Sequence, residues 1–159
     1  SSHSFPTRRS SDLKTLPPGV AWLGYGGLLP FVALAPASLI DVHHGALWSD
    51  ALVAYGAVIL SFVGALHWAF AMTLPGLDER QRTGRFMWSV VPALLAWPAI
   101  LLTPVLAAPL LIAGFLAHFW QDTKLARHAE LSGWYLPLRL HLTAVACLCL
   151  ALGAFARYG

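Results

Sequence analysis

The stretch Ala51–Leu74, ALVAYGAVILSFVGALHWAFAMTL, runs for 24 residues without a formally charged side chain. A bilayer core about 30 Å thick is crossed by about 20 apolar residues in a helix. Inside lipid every backbone N–H and C=O must find a protein partner, and a helix supplies those bonds within one segment. This stretch therefore places the chain in a membrane. Composition agrees. The 159 residues are 58% hydrophobic and 11% charged, with a mean hydropathy of +0.66, whereas soluble domains carry about 25% charged residues. A water-soluble chain of this size has too little interior to hide so much apolar surface.

The same criterion marks four more segments. Val20–Ile40 is apolar but interrupted by Gly24, Gly26, Gly27, Pro30 and Pro36, so a kinked or irregular helix is expected there. From Phe86 to Gln121 there is no formal charge over 36 residues. A single helix of that length would rise about 54 Å, far beyond the core, so the segment must turn back. Thr103-Pro104 is its most turn-like point, giving spans over 86–102 and 105–120. The last span covers 134–156. The expected fold is thus all-α, a polytopic transmembrane helical bundle of about five helices forming a single domain over residues 14–159. Ser1–Leu13, a polar run with no apolar period, reads as a non-native or disordered head.

Orientation follows from Lys and Arg in short loops. With the N-terminus inside, the inner segments hold Lys14, Arg80, Arg82, Arg85, Lys124 and Arg127, and the outer ones only Arg157. The expectation is N-in and C-out, in a bacterial inner membrane, or in the mitochondrial inner membrane if the source is eukaryotic. The net charge of +3 is small and spread among those loops, which leaves no clustered basic surface for nucleic acid.

With orientation set, five ionisable side chains fall at one depth, near the inner boundary: His67 on the second span, His118 and Asp122 at the end of the fourth, Arg139 and His141 near the start of the fifth. A charge within a span is costly, about 2.5–3.5 kcal/mol for Arg at a helix centre, and an Arg139–Asp122 pair would lower that cost. Such a cluster is either a functional polar site or a set of interfacial anchors. Ala57, Ser61, Ala65 and Ala69 repeat every fourth residue on the second span, the small-xxx-small pattern that lets helices approach closely. They suit packing within one molecule or in a homo-oligomer.

No metal site or cofactor is expected. His43-His44 is a poor chelating pattern in a loop, Cys147 and Cys149 point to nearly opposite sides of a helix, and axial histidine alone is an unspecific sign of haem. No phosphate loop, HExxH, nucleophile elbow or dinucleotide fingerprint is present.

Several strings together resemble a family of small polytopic membrane proteins of unknown function, the one that includes transmembrane protein 69. They are Trp22-Leu23-Gly24 through Gly27-Leu28-Leu29-Pro30-Phe31, Tyr55 through Phe62 with Gly64 to His67-Trp68, and Trp134-Tyr135 with Leu138-Arg139 to Thr143. The resemblance implies a polytopic membrane protein and brings no activity, cofactor or catalytic residue. The leading functional expectation is a non-enzymatic membrane protein, embedded in the lipid bilayer, that assists a larger membrane complex. The alternatives are a small transporter or proton-linked channel using the His/Arg/Asp cluster, and a membrane redox or haem protein.

Overall fold

A computed structural model describes residues 16–129 and 131–158; the head over residues 1–13 lies outside them. The described residues form six α-helices and no strand: α1 (Pro18–Gly26), α2 (Leu29–Ile40), α3 (Gly45–Thr73), α4 (Glu79–Leu101), α5 (Pro104–His128) and α6 (Tyr135–Tyr158). Five segments are long and apolar enough to cross a membrane, α1 and α2 together making the first.

Local chemistry sets the boundaries. α1 and α2 part at Gly27–Leu28, where Pro30 in the first turn of α2 has no N–H to continue the ladder. α4 opens on a capping box: the Gln81 N–H donates to Asp78 Oδ1 at 2.7 Å, and the Asp78 N–H donates to Gln81 Oε1 at 3.1 Å. Thr103-Pro104 is the expected turn, with Pro104 opening α5. Two boundaries differ from expectation. α3 begins at Gly45, so most of the loop assigned to 41–50 is helical. α5 runs to His128, so Asp122 lies within its helix rather than in a loop.

α3 is the central helix, touching α2, α4, α5 and α6. Leu52 and Leu60 of α3 meet Phe31, Leu111, Phe115 and Leu150 in one buried core. Its closest approaches are made by glycines. A Cβ on Gly64 would stand 2.6 Å from the Pro92 ring of α4, and one on Gly114 of α5 would stand 2.7 Å from Leu60.

The inward face of α3 takes in only part of the expected ladder. Ala57 is buried and Ser61 half-buried, but Ala65 and Ala69 are exposed on the outside of the bundle. The inward side instead carries Gly56, Leu60, Gly64, His67 and Ala71. The reason is shape: Gly64 alone leaves room for the Pro92 ring, so the rotation of α3 follows the glycine rather than the alanines.

Two arginines lock the end of the bundle where α3 runs into α4 and α5 into α6. Arg82 donates to the carbonyl of Ala71 and to those of Leu74 at 3.2 Å and Leu77 at 3.4 Å. Arg85 donates to the Gln121 carbonyl at 3.3 Å. The last carbonyls of a helix lack intrahelical donors and carry partial negative charge, so the Arg82 cation is favoured at the end of α3.

Candidate functional site

At that same end, four helices converge on Asp122. The carboxylate has no solvent exposure, and neither do His67 and His118; Arg139 is 3% exposed. His67 Nε2 on α3 donates to Asp122 Oδ1 at 2.7 Å. Arg139 Nε on α6 donates to Oδ2 at 3.0 Å. Tyr135, one turn before Arg139, donates its hydroxyl to Oδ1 at 3.3 Å. His118, one turn before Asp122 on α5, places Nε2 3.7 Å from Oδ2. Trp88 Nε1 on α4 donates to His118 Nδ1 at 3.0 Å. The two imidazole rings stand 4.8 Å apart, edge to face.

Helix periodicity explains why these residues meet. His118 and Asp122, and likewise Tyr135 and Arg139, are four apart and share one face of their helices. His67 lies on the buried line of α3 that includes Gly64, so the glycine contact that seats α4 also orients the histidine.

The hydrogen bonds assign the protons. Trp88 donates to His118 Nδ1, so a neutral His118 carries its proton on Nε2, facing Asp122. The carboxylate accepts from His67, so His67 Nε2 is protonated and, in the neutral ring, Nδ1 holds a lone pair. That Nδ1 is buried with no partner among the described residues, as are His118 Nε2 and Arg139 Nη2. Arg139 carries one positive charge and Asp122 one negative, so the network is neutral as drawn.

His67, His118 and Asp122 offer ligand atoms within 4.8 Å of one another. The arrangement suits a proton better than a divalent cation. Trp88 occupies the only lone pair of neutral His118, and Arg139 would hold its guanidinium beside the metal.

Of the five side chains placed at one depth from sequence, the structure brings together His67, His118, Asp122 and Arg139. His141 stands apart, on the exposed side of α6, with Nδ1 3.1 Å from the Tyr25 hydroxyl. Two participants escaped the sequence reading of the cluster. Tyr135 could have been found from its four-residue spacing to Arg139. Trp88 could not, because nothing in the sequence pairs α4 with α5 at that register.

Among the described residues the other polar groups form no comparable site. Asp41 accepts from Trp48 Nε1 at 3.1 Å and lies 3.0 Å from His44 Nδ1, all at the start of α3. The indole N–H, joined by His44, holds the Asp41 carboxyl below its ordinary value. Cys147 and Cys149 are both free thiols.

Comparison with known proteins places the chain. Residues 16–155 match the family model described as "Protein of unknown function (DUF3429)". The chain is 38% identical over 141 residues to "Transmembrane protein 69" of Xenopus tropicalis, a match covering 84% of this chain and 53% of that protein. The chain thus spans about half the length of this curated relative. No solved structure matches. From its helices, its strings and this match, the chain belongs to the DUF3429 family, membrane proteins of unknown function that include transmembrane protein 69.

Proposed function

We propose that this protein is a small proton-linked membrane transporter whose proton site is the network around Asp122. One observation carries the reading: a carboxylate and an imidazole 2.7 Å apart, both without solvent exposure, inside a bundle that crosses a membrane. Ionisable groups at such depth are expensive and typically mark proton or substrate paths. A network serving only to hold helices together would be expected to satisfy its members, since each buried unpaired polar group costs about 1–3 kcal/mol. Here a lone pair on His67 Nδ1 stays open. A proton accepted there makes an imidazolium directly beside Asp122, and its release restores the neutral network.

The loop distribution of Lys and Arg supports an orientation with the N-terminus inside, which would put the site near the inner boundary of a bacterial or mitochondrial inner membrane. The test is flux. Purified protein in liposomes with an entrapped pH dye should dissipate an imposed proton gradient in the presence of its substrate ions or metabolites. His67→Gln and Asp122→Asn should abolish that flux, and flux unchanged from the parent protein in both variants would remove the proposal.

A second reading, a subunit that assists a larger membrane complex, is favoured by one separate observation. Ala65 and Ala69 present a small-residue face outward from α3, with no helix of this chain against it. Cysteines introduced at Ala65 should then crosslink to a partner, or to a second copy, in native membranes.

A further inference from the structure

A groove of about 830 Å³ opens on the other side of Arg139, between α1, α3 and α6. Val20 and Leu23 form one wall, Leu66 and Phe70 the second, Trp134 and Leu138 the third. A smaller cavity of about 100 Å³ continues it inward toward Phe31 and Phe115, and Arg139 lines both. The groove is large enough for a small-molecule ligand, whose pockets run about 300–1,000 Å³.

Among the described residues Arg139 is the only charged side chain in that lining, and it is 3% exposed. Its Nε is committed to Asp122, while Nη2 is buried and has no partner among the described residues. A buried donor without an acceptor is destabilising, and an occupant that supplies one relieves it. Charge then selects the occupant. The Arg139–Asp122 pair sums to zero, and the network stays neutral with both histidines in the neutral tautomers drawn above. An anionic head on Nη2 would leave an uncompensated charge at membrane depth; a neutral carbonyl oxygen would not. Shape selects further. Phe70, Tyr135 and Trp134 make a continuous aromatic wall, with ring centroids 5.3 Å apart for the first pair and 6.3 Å for the second. Such a wall offers faces and edges to a planar ring.

We propose that this groove binds a membrane quinone, a neutral planar dicarbonyl with an apolar tail, with one ring carbonyl accepting from the Arg139 guanidinium. The ring lies against the aromatic wall and the tail leaves between α1 and α3 into lipid. This is a binding site; no electron transfer is part of it. It stands on the groove and on Arg139, and does not require proton movement at Asp122.

The test uses the full chain in phosphatidylcholine nanodiscs, titrated with decylubiquinone and read by tryptophan fluorescence, with empty nanodiscs containing a tryptophan octyl ester as the partition control. Saturable quenching at one quinone per protein is expected. Gly24→Leu fills the groove without touching the network, since a Cβ there meets only the Leu138 side chain, at 3.5 Å. It should weaken binding about tenfold or more, and Arg139→Gln should weaken it by about tenfold, the loss of one charged hydrogen bond. If Arg139→Gln does not fold, Gly24→Leu decides alone. Unsaturable quenching, or saturable quenching unaffected by Gly24→Leu, overturns the site. Displacement of the quinone by equimolar hexadecanesulfonate would make it an anion site. Displacement by equimolar monooleoylglycerol would make it a general lipid groove. Either result overturns the quinone assignment.

Discussion

Gly64→Ala should destabilise the protein even though it replaces glycine by the best helix former. In a helix interior the exchange alone favours the folded state by about 1 kcal/mol. Against that, the new methyl would stand 2.6 Å and 2.7 Å from two ring carbons of Pro92 and 3.2 Å from a third. A proline ring has no flexible end to swing aside, so α3 and α4 must separate. Forcing an extra methyl into a packed contact costs about 1–3 kcal/mol, and with three ring atoms involved the upper half of that range applies. The net expectation is a loss of about 1–2 kcal/mol, or about 2–8 °C in melting temperature for a chain of this size. Gly84→Ala on α4 is the matched control, because nothing lies within 4 Å of its added Cβ. It should gain up to about 1 kcal/mol. Thermal unfolding of both variants in one mild detergent, followed by tryptophan fluorescence and by circular dichroism, measures the contrast. The double variant Gly64→Ala/Pro92→Ala should recover part of the loss through a positive coupling. A Gly64→Ala protein as stable as the parent, or a double variant with no coupling, would refute the claim that this contact sets the α3–α4 distance.

Three other expectations concern the polar groups. Asp122→Asn leaves the Arg139 guanidinium buried without its counter-charge and should cost about 3–5 kcal/mol; adding Arg139→Gln should return much of that, and thermal unfolding of the pair measures it. Trp88→Phe keeps the ring volume in part but removes the donor to His118 Nδ1, for a loss of about 1 kcal/mol and a His118 ring whose tautomer is no longer fixed, visible in its nitrogen NMR shifts. The contacts around Asp41 are pH-dependent with a definite sign: its carboxyl titrates below the ordinary value in the folded protein, so its contribution is complete above the ordinary carboxylate value and is lost as pH falls through the lowered one. The Trp48 indole N–H resonance should move over that acid range and should stay still in Asp41→Asn.

What the sequence conveyed was position along each helix; what it lacked was rotation about the axis. Depth follows from counting residues at 1.5 Å each, and that count aligned His67, His118, Asp122 and Arg139 from three separate spans. It also aligned His141, which is two residues from Arg139 and hence about 200° around the helix from it. Arg139 faces inward and His141 outward, a distinction that depth cannot make. The alanine ladder divides between inside and outside for the same reason. Ala57, Ser61, Ala65 and Ala69 satisfy a packing pattern, but the pattern is silent about which face meets a neighbour. The rotation of α3 was decided by a complementary bulge on another helix, Pro92, whose register against Gly64 no single-chain periodicity contains. The membrane, the helical class and the broken first span were legible because each depends on local composition or on Pro and Gly within one segment.

The countercharge of the network has a consequence for how the chain reaches its folded state. Asp122 belongs to α5, and its guanidinium partner to α6, the last helix in these 159 residues. A nascent chain that has delivered α5 to the membrane holds a carboxylate whose directly bonded guanidinium, Arg139, is missing until α6 follows. Insertion of α5 by itself is therefore penalised, and the two helices are better delivered together as a hairpin.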